Sequence, residues 1–257
     1  MHISFVNCPS FPTDQLVRLE LDPESISRSP EYPTPDVING LLNSGSDILV
    51  AKLDELPLAQ NEDTWNIAAI LPRTSQNLQV TSSIWDEDAL FWLPRAIDVY
   101  APSESTWQQI AGQRPDLERQ PVENRATARI LNDDDNESFQ GESRKIHIKE
   151  LVPPAGSHVK ALICKKVNIS LRKKLMQVHD QETAVLTNIE RSIKKSLERS
   201  DILTAAFCIK DKHGRYHLAS VGIKAGHLKH HFSIQSSWAG LAEGAITALE
   251  ESLGGID

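Results

Sequence analysis

Asp47-Ile48-Leu49-Val50-Ala51 is the stretch whose reading decides the fold. A short apolar run that begins just after Asn43-Ser44-Gly45 reads as a strand buried on both faces. On its N-terminal side, Asp36 can cap a helix through Leu42 that ends at Asn43-Ser44-Gly45. Before that helix, Ser29-Pro30-Glu31-Tyr32-Pro33-Thr34-Pro35 is a proline-rich connector that cannot be helical inside. His2 to Val6 is a short strand, and Leu16 to Leu21 alternates apolar and charged residues as a half-buried strand does. On the other side, Trp65 to Leu71 is a second buried strand. Strands separated by helices predict a largely parallel α/β sheet.

Further along, Ser103 caps a helix to Gly112, Leu131–Glu142 reads as an acidic loop, Lys145–Leu151 alternates weakly, and Val159–Val167 is a strand. Asp180 caps a helix with an apolar stripe at Val185, Ile189, Ile193 and Leu197. Strands at 202–209 and 216–224 flank the turn Asp211-Lys212-His213-Gly214-Arg215. His230 to Gln235 is a third strand, and Trp238 to Ser252 a helix closed by Gly254-Gly255. The order α-β-β-β-α predicts a small α+β unit on a three-stranded antiparallel sheet.

The 257 residues suggest one to three domains, and the 40% apolar content excludes a chain disordered throughout. Charge is split. Residues 1–140 hold 9 Lys+Arg and 23 Asp+Glu, net −14; residues 141–257 hold 18 and 12, net +6. The lysines of the basic part are scattered, so no nucleic-acid partner is expected. No run reaches a membrane span, and no secretory signal is visible, so no membrane partner is expected. Cys8, Cys164 and Cys208 show no CxxC spacing and fit a reduced, cytoplasmic setting. His227, His230 and His231 lack a carboxylate or cysteine at ligand spacing, so no metal is expected. Trp85, Phe91, Trp92 and Trp107 read as core or interface aromatics, and Ser82-Ser83 has no nucleophile-elbow context.

Several segments resemble the hydroxymethylbilane synthase (porphobilinogen deaminase) family of tetrapyrrole (heme) biosynthesis, transferases that polymerise porphobilinogen to hydroxymethylbilane. Leu41-Leu42-Asn43-Ser44-Gly45-Ser46-Asp47 through Pro57 resembles its LL…G..DIAVHSLKDLP signature. Trp65 to Arg73 resembles the strand that follows, Gln113 to Leu117 resembles RRPDL, and Asn124 to Ile130 resembles RGNVxTRL. Val152 to Gly156 resembles LPAPGQG, and Asp180 to Ala184 with Glu190-Arg191 and Leu197-Glu198 resembles DxETA…ER…LEGGC. The resemblance implies periplasmic-binding-protein-like α/β domains, the second incomplete, then a small α+β C-terminal domain with a three-stranded antiparallel sheet. The expected boundaries are 1–75, 76–158 with 159–168 returning as a strand, and 169–257.

The resemblance also assigns a site. Glu55 stands at the family's catalytic aspartate, while Lys52 and Arg129 are the candidate substrate-binding cations. Asp201 stands where the family's cysteine ties the dipyrromethane cofactor by a thioether, so no bound cofactor is expected. The substrate arginines of GTSSLRRQ are replaced by Ser103-Glu104-Ser105-Thr106. Two function classes therefore stand side by side. One is a synthase-like enzyme acting through Glu55; the other is a non-catalytic pseudoenzyme serving as a binding or partner protein for a pyrrole or tetrapyrrole ligand. The oligomeric state stays open.

Overall fold

The computed structural model describes residues 1–8, 19, 25–58, 64–75, 77–82, 90, 93–132 and 143–256. The chain divides into two compact units, Met1–Thr74 with Gly156–Val185, and Ser75–Ala155 with Leu186–Asp257.

The first unit is built on five strands in the order β2-β1-β3-β10-β4: β2 (Ser25–Ser29), β1 (His2–Val6), β3 (Ile48–Lys52), β10 (Lys160–Lys165) and β4 (Trp65–Ile70). β1 pairs in parallel with β2 and β3, and β10 runs antiparallel to both β3 and β4. β2, β1, β3 and β4 therefore share one direction and β10 opposes it, so the sheet is mixed. Its central strands are apolar on both faces, as a doubly covered sheet requires. One face packs Ile3, Phe5, Ile48, Val50, Leu162 and Cys164 against Leu175 of helix α3 (Ile169–Leu175). The other packs Leu49, Ala51, Ile163 and Trp65 against Ile38 and Leu42 of helix α1 (Pro35–Asn43). That helix starts two residues before the expected point. Thr34, not Asp36, is its cap and accepts from the N–H of Val37, because Pro35 suits the first helical position, where no N–H is needed. The alternating segment 16–21 lies outside the described residues, apart from the buried Leu19.

The second unit carries a five-stranded sheet in the order β7-β6-β8-β5-β9, from β5 (Leu78–Ser82), β6 (Asp98–Tyr100), β7 (Glu118–Arg119), β8 (Ala128–Asn132) and β9 (Ser143–Lys145). Helix α2 (Glu104–Gln113) is capped by Ser103 and packs Ile110 and Trp107 against this sheet. The interval read as an acidic loop and weak tail supplies β9, which closes the sheet edge beside β5. Residues 133–142 lie outside the described residues, as do 83–89, Phe91 and Trp92.

The C-terminal part of this unit holds three antiparallel strands in the order β11-β12-β13: β11 (Leu203–Lys210), β12 (Tyr216–Lys224) and β13 (His227–Gln235). They are followed by helix α5 (Leu241–Leu253) and preceded by helix α4 (Gln181–Glu198). The expected α-β-β-β-α order is therefore observed. α4 starts where Asp180 accepts the N–H of Thr183 at 2.7 Å. No helix among the described residues is long and apolar enough to cross a membrane.

Candidate functional site

Parallel strands side by side place the loops at their carboxyl ends along one sheet edge, where α/β folds commonly seat ligands. In the first unit this edge gathers Asn7 after β1, the segment 52–55 after β3, and Arg73-Thr74 after β4. β10 runs the opposite way, so its amino end arrives at the same edge and brings residues 156–160.

Lys52 and Lys160 are register partners across β3 and β10, which puts their side chains on the same face of the sheet. Both are largely buried: Lys160 is 8% exposed, and the Lys52 side chain 18%. Burying lysine side chains is costly unless their charge is answered. Glu55 supplies a carboxylate, with Oε1 3.9 Å from Lys52 Nζ. The carboxylate is held from behind, because the side-chain amide of Asn7 donates to Glu55 Oε2 at 2.9 Å. Asn7 has φ 46°, a left-handed conformation that asparagine adopts more readily than most residues. Tyr32 lies in the field of the same loop. Partial burial, then the carboxylates of Glu55 and Asp54, push its phenol above the usual range.

The returning segment is pressed against the 52–55 loop. The N–H of Leu53 donates to the carbonyl of Val159 at 2.8 Å. Gly156 has φ +85°, and a Cβ there would come within 3.2 Å of Leu53 Cγ and 3.3 Å of the Asp54 backbone nitrogen. A glycine is needed both for the backbone conformation and for this close approach. It brings Ser157 and His158, both buried, next to the loop. His158 sits at φ 60°, and its carbonyl accepts from the N–H and the hydroxyl of Thr74. The Ser157 hydroxyl is fully buried and finds no hydrogen-bond partner among the described residues.

The residues expected to form a site are thus partly brought together. Lys52 and Glu55 meet. Arg129 lies in the second unit, on β8, where its guanidinium is 3.9 Å from Glu123. Asp201 ends α4: its own N–H donates to the Glu198 carbonyl, the next N–H donates to the Leu197 carbonyl, and its φ is 54°. This is a left-handed helix stop of a kind that Asn, Asp and Gly can fill. Cys208 is fully buried in β11, and its N–H donates to the buried Glu190 carboxylate at 2.7 Å. It does not sit in an open crevice. His227, His230 and His231 lie along β13, and no group of three or more metal-ligating side chains assembles among the described residues. Lys160, Ser157 and His158 were not singled out in the sequence. The nearest signal was Gly156, which belonged to a noted motif.

No family model matches this chain, and no curated protein matches it. Among solved structures it is similar to the periplasmic aliphatic sulphonate binding protein SsuA from Escherichia coli: 13% identity, TM-score 0.44, covering 77% of this chain and 70% of that one. It is also similar to the ligand binding component of an ABC-type import system from Staphylococcus aureus: 10% identity, TM-score 0.39, covering 78% and 77%. Protein PG110 from Staphylococcus aureus is similar over 98% of this chain and 99% of its own, with 14% identity and TM-score 0.43. Likeness of this degree assigns neither a ligand nor an activity. No family model or curated protein supports hydroxymethylbilane synthase, and the structures named above are two solute-binding proteins and protein PG110. The family resemblance, the tetrapyrrole function that it implied and the cytoplasmic setting expected from the cysteines are withdrawn. Short collinear motifs built from Gly, Pro, Asp and Leu mark turns and caps that unrelated α/β chains share, which is why they misled.

Proposed function

We propose that this chain is a small-molecule-binding protein whose ligand presents an anionic group to the carboxyl-end edge of the first unit's sheet. One observation carries the reading: the register-paired lysines Lys52 and Lys160 lie on one face of the sheet at this edge, both largely buried, with Glu55 3.9 Å from Lys52. A carboxylate, sulfonate or phosphate is the kind of group that two neighbouring ammonium side chains recognise. Ser157 supports the reading, since a buried hydroxyl with no partner among the described residues suits a ligand oxygen. In this proposal Glu55 orients Lys52 and performs no chemistry, and no resident cofactor takes part. Arg129, on the other unit, is left out of the site.

The test is calorimetric titration of the full chain with acetate, methanesulfonate and inorganic phosphate. At least one should bind. Lys52→Met should weaken that binding by about 10–100-fold, the loss of one charged hydrogen bond at roughly 1.5–3 kcal/mol. No heat with any of the three anions, or unchanged affinity in both Lys52→Met and Lys160→Met, would end the proposal.

A further inference from the structure

β13 is the outer strand of the C-terminal sheet, and among the described residues it pairs with β12 alone. Nine residues long, it reads His227-Leu228-Lys229-His230-His231-Phe232-Ser233-Ile234-Gln235. Natural sheets usually blunt such an edge with proline, a bulge, a very short strand or several charges. This one has no proline, no acid and a single lysine, and its register with β12 is unbroken. It also shows apolar surface: Phe232 is 45% exposed and Ile234 60%, with Trp238 just beyond at 55%.

We infer that β13 is a self-association edge, and that its occupant is the β13 of a second copy of this chain, paired antiparallel about His231. The geometry and the side chains of the strand are compatible with that occupant and that register. First, a pairing centred on His231 uses all nine residues, opposing His227 to Gln235, Leu228 to Ile234, Lys229 to Ser233 and His230 to Phe232. Second, charge is compatible. Lysine meets serine and not lysine, and burial holds His230 and His231 below the usual histidine range, towards the neutral form. Third, the two-fold axis stands perpendicular to the sheet and keeps each face on its own side. Leu228, His230, Phe232 and Ile234 share the face of Val221 and Ala219, residues of the unit's apolar cluster. His230 already stacks on Phe232 within one strand, with centroids 5.8 Å apart. Dimerisation would join the two stripes into one apolar row across a six-stranded sheet. The contact is isologous, so it closes at two copies.

Strand pairing with one row of side chains buries less than the roughly 1,600 Å² of a standard interface, so association is expected near a Kd of about 10⁻⁵ M. Sedimentation equilibrium on the full chain tests this. A shift from the 28.6 kDa monomer to twice that mass should appear as concentration passes that range. Phe232→Lys with Ile234→Lys should weaken association more than tenfold while leaving the circular dichroism spectrum unchanged. If the pair fails to fold, Ile234→Lys alone decides. A wild-type chain that stays monomeric at ten times that concentration would overturn the inference and leave the edge to a different partner. Association that survives a folded lysine variant would overturn it as well.

Discussion

Gln109 gives the sharpest stability test. It is fully buried in the middle of α2, on the side away from solvent. Its amide clamps one backbone position: Oε1 accepts the N–H of Val152 at 2.8 Å, and Nε2 donates to the Val152 carbonyl at 3.0 Å. Nε2 also reaches the Ser105 carbonyl at 3.2 Å. Val152 is itself fully buried, so water cannot replace either bond. Gln109→Ala would strand one buried donor and one buried acceptor, at about 1–3 kcal/mol each. The Ser105 carbonyl lies within the helix and loses less. The truncated side chain leaves a small void besides. We therefore expect a loss of roughly 3–5 kcal/mol, a large part of the 5–15 kcal/mol of a typical domain. Its neighbour Gln108 is the control. It is solvent-facing, and its amide donates to Glu104 one turn earlier at 2.9 Å. Gln108→Ala should cost only about 0.2–0.5 kcal/mol. Urea unfolding followed by circular dichroism and tryptophan fluorescence measures both, and the midpoint should fall at constant slope. A Gln109→Ala loss below about 1 kcal/mol, or one equal to that of Gln108→Ala, would refute the argument from unsatisfied backbone groups.

Three further outcomes are expected. Gly222→Ala in β12 would place a Cβ 2.8 Å from Leu253 Cδ1 and 3.1 Å from Ile202 Cγ2, both buried side chains. Overpacking at about 1–3 kcal/mol should outweigh the roughly 0.5–1 kcal/mol that a strand gains on losing a glycine, and Leu253→Ala should partly relieve it; additive losses in the double variant would contradict this. Asp211 accepts from His217 Nε2 at 2.9 Å and from Arg215 and the His213 N–H, and these bonds, His217 first, hold its carboxyl well below the ordinary 3.8. Its contribution is complete above the unfolded-chain value and is lost as pH falls through the lowered folded value; a carboxyl carbon titration with its midpoint at 3.8 or higher would sink this. All three cysteines are buried, and burial pushes the Cys164 thiol up to about 11 despite the nearby Arg172 charge. A thiol-reactive disulfide reagent at pH 8 should find no reactive thiol in the folded chain and three after denaturation. Prompt native labelling would show that the core opens more readily than its packing implies.

Much of the fold was legible because it is encoded locally. The apolar runs at 48–51 and 65–70, the stripe at Val185, Ile189, Ile193 and Leu197, and the caps at Ser103 and Asp180 each declare an element within a few residues of themselves. The α-β-β-β-α ending follows from turn residues and periodicity alone. Element boundaries were less secure where two signals compete, as at Thr34-Pro35-Asp36, where a proline moved the cap outward. The strand at 143–145 was missed because three residues beside an acidic loop carry almost no period; its pairing with β5 makes it a strand.

Site and function were read less well, for a physical reason. Sequence alone determined which residue types were available: the lysine and glutamate after β3, the cysteines without a pairing pattern, the charge split along the chain. It could not determine neighbours far apart along the chain. Lys52 and Lys160 are separated by more than a hundred residues, and only the antiparallel return of β10 sets them side by side. Motif order suggested a cofactor position at Asp201, yet the backbone there is a helix stop, which any short αL-tolerant residue can serve. Local chemistry writes helices, strands and caps into the chain, but a binding site is a coincidence in space between distant segments, and only the paired sheet brings those segments together.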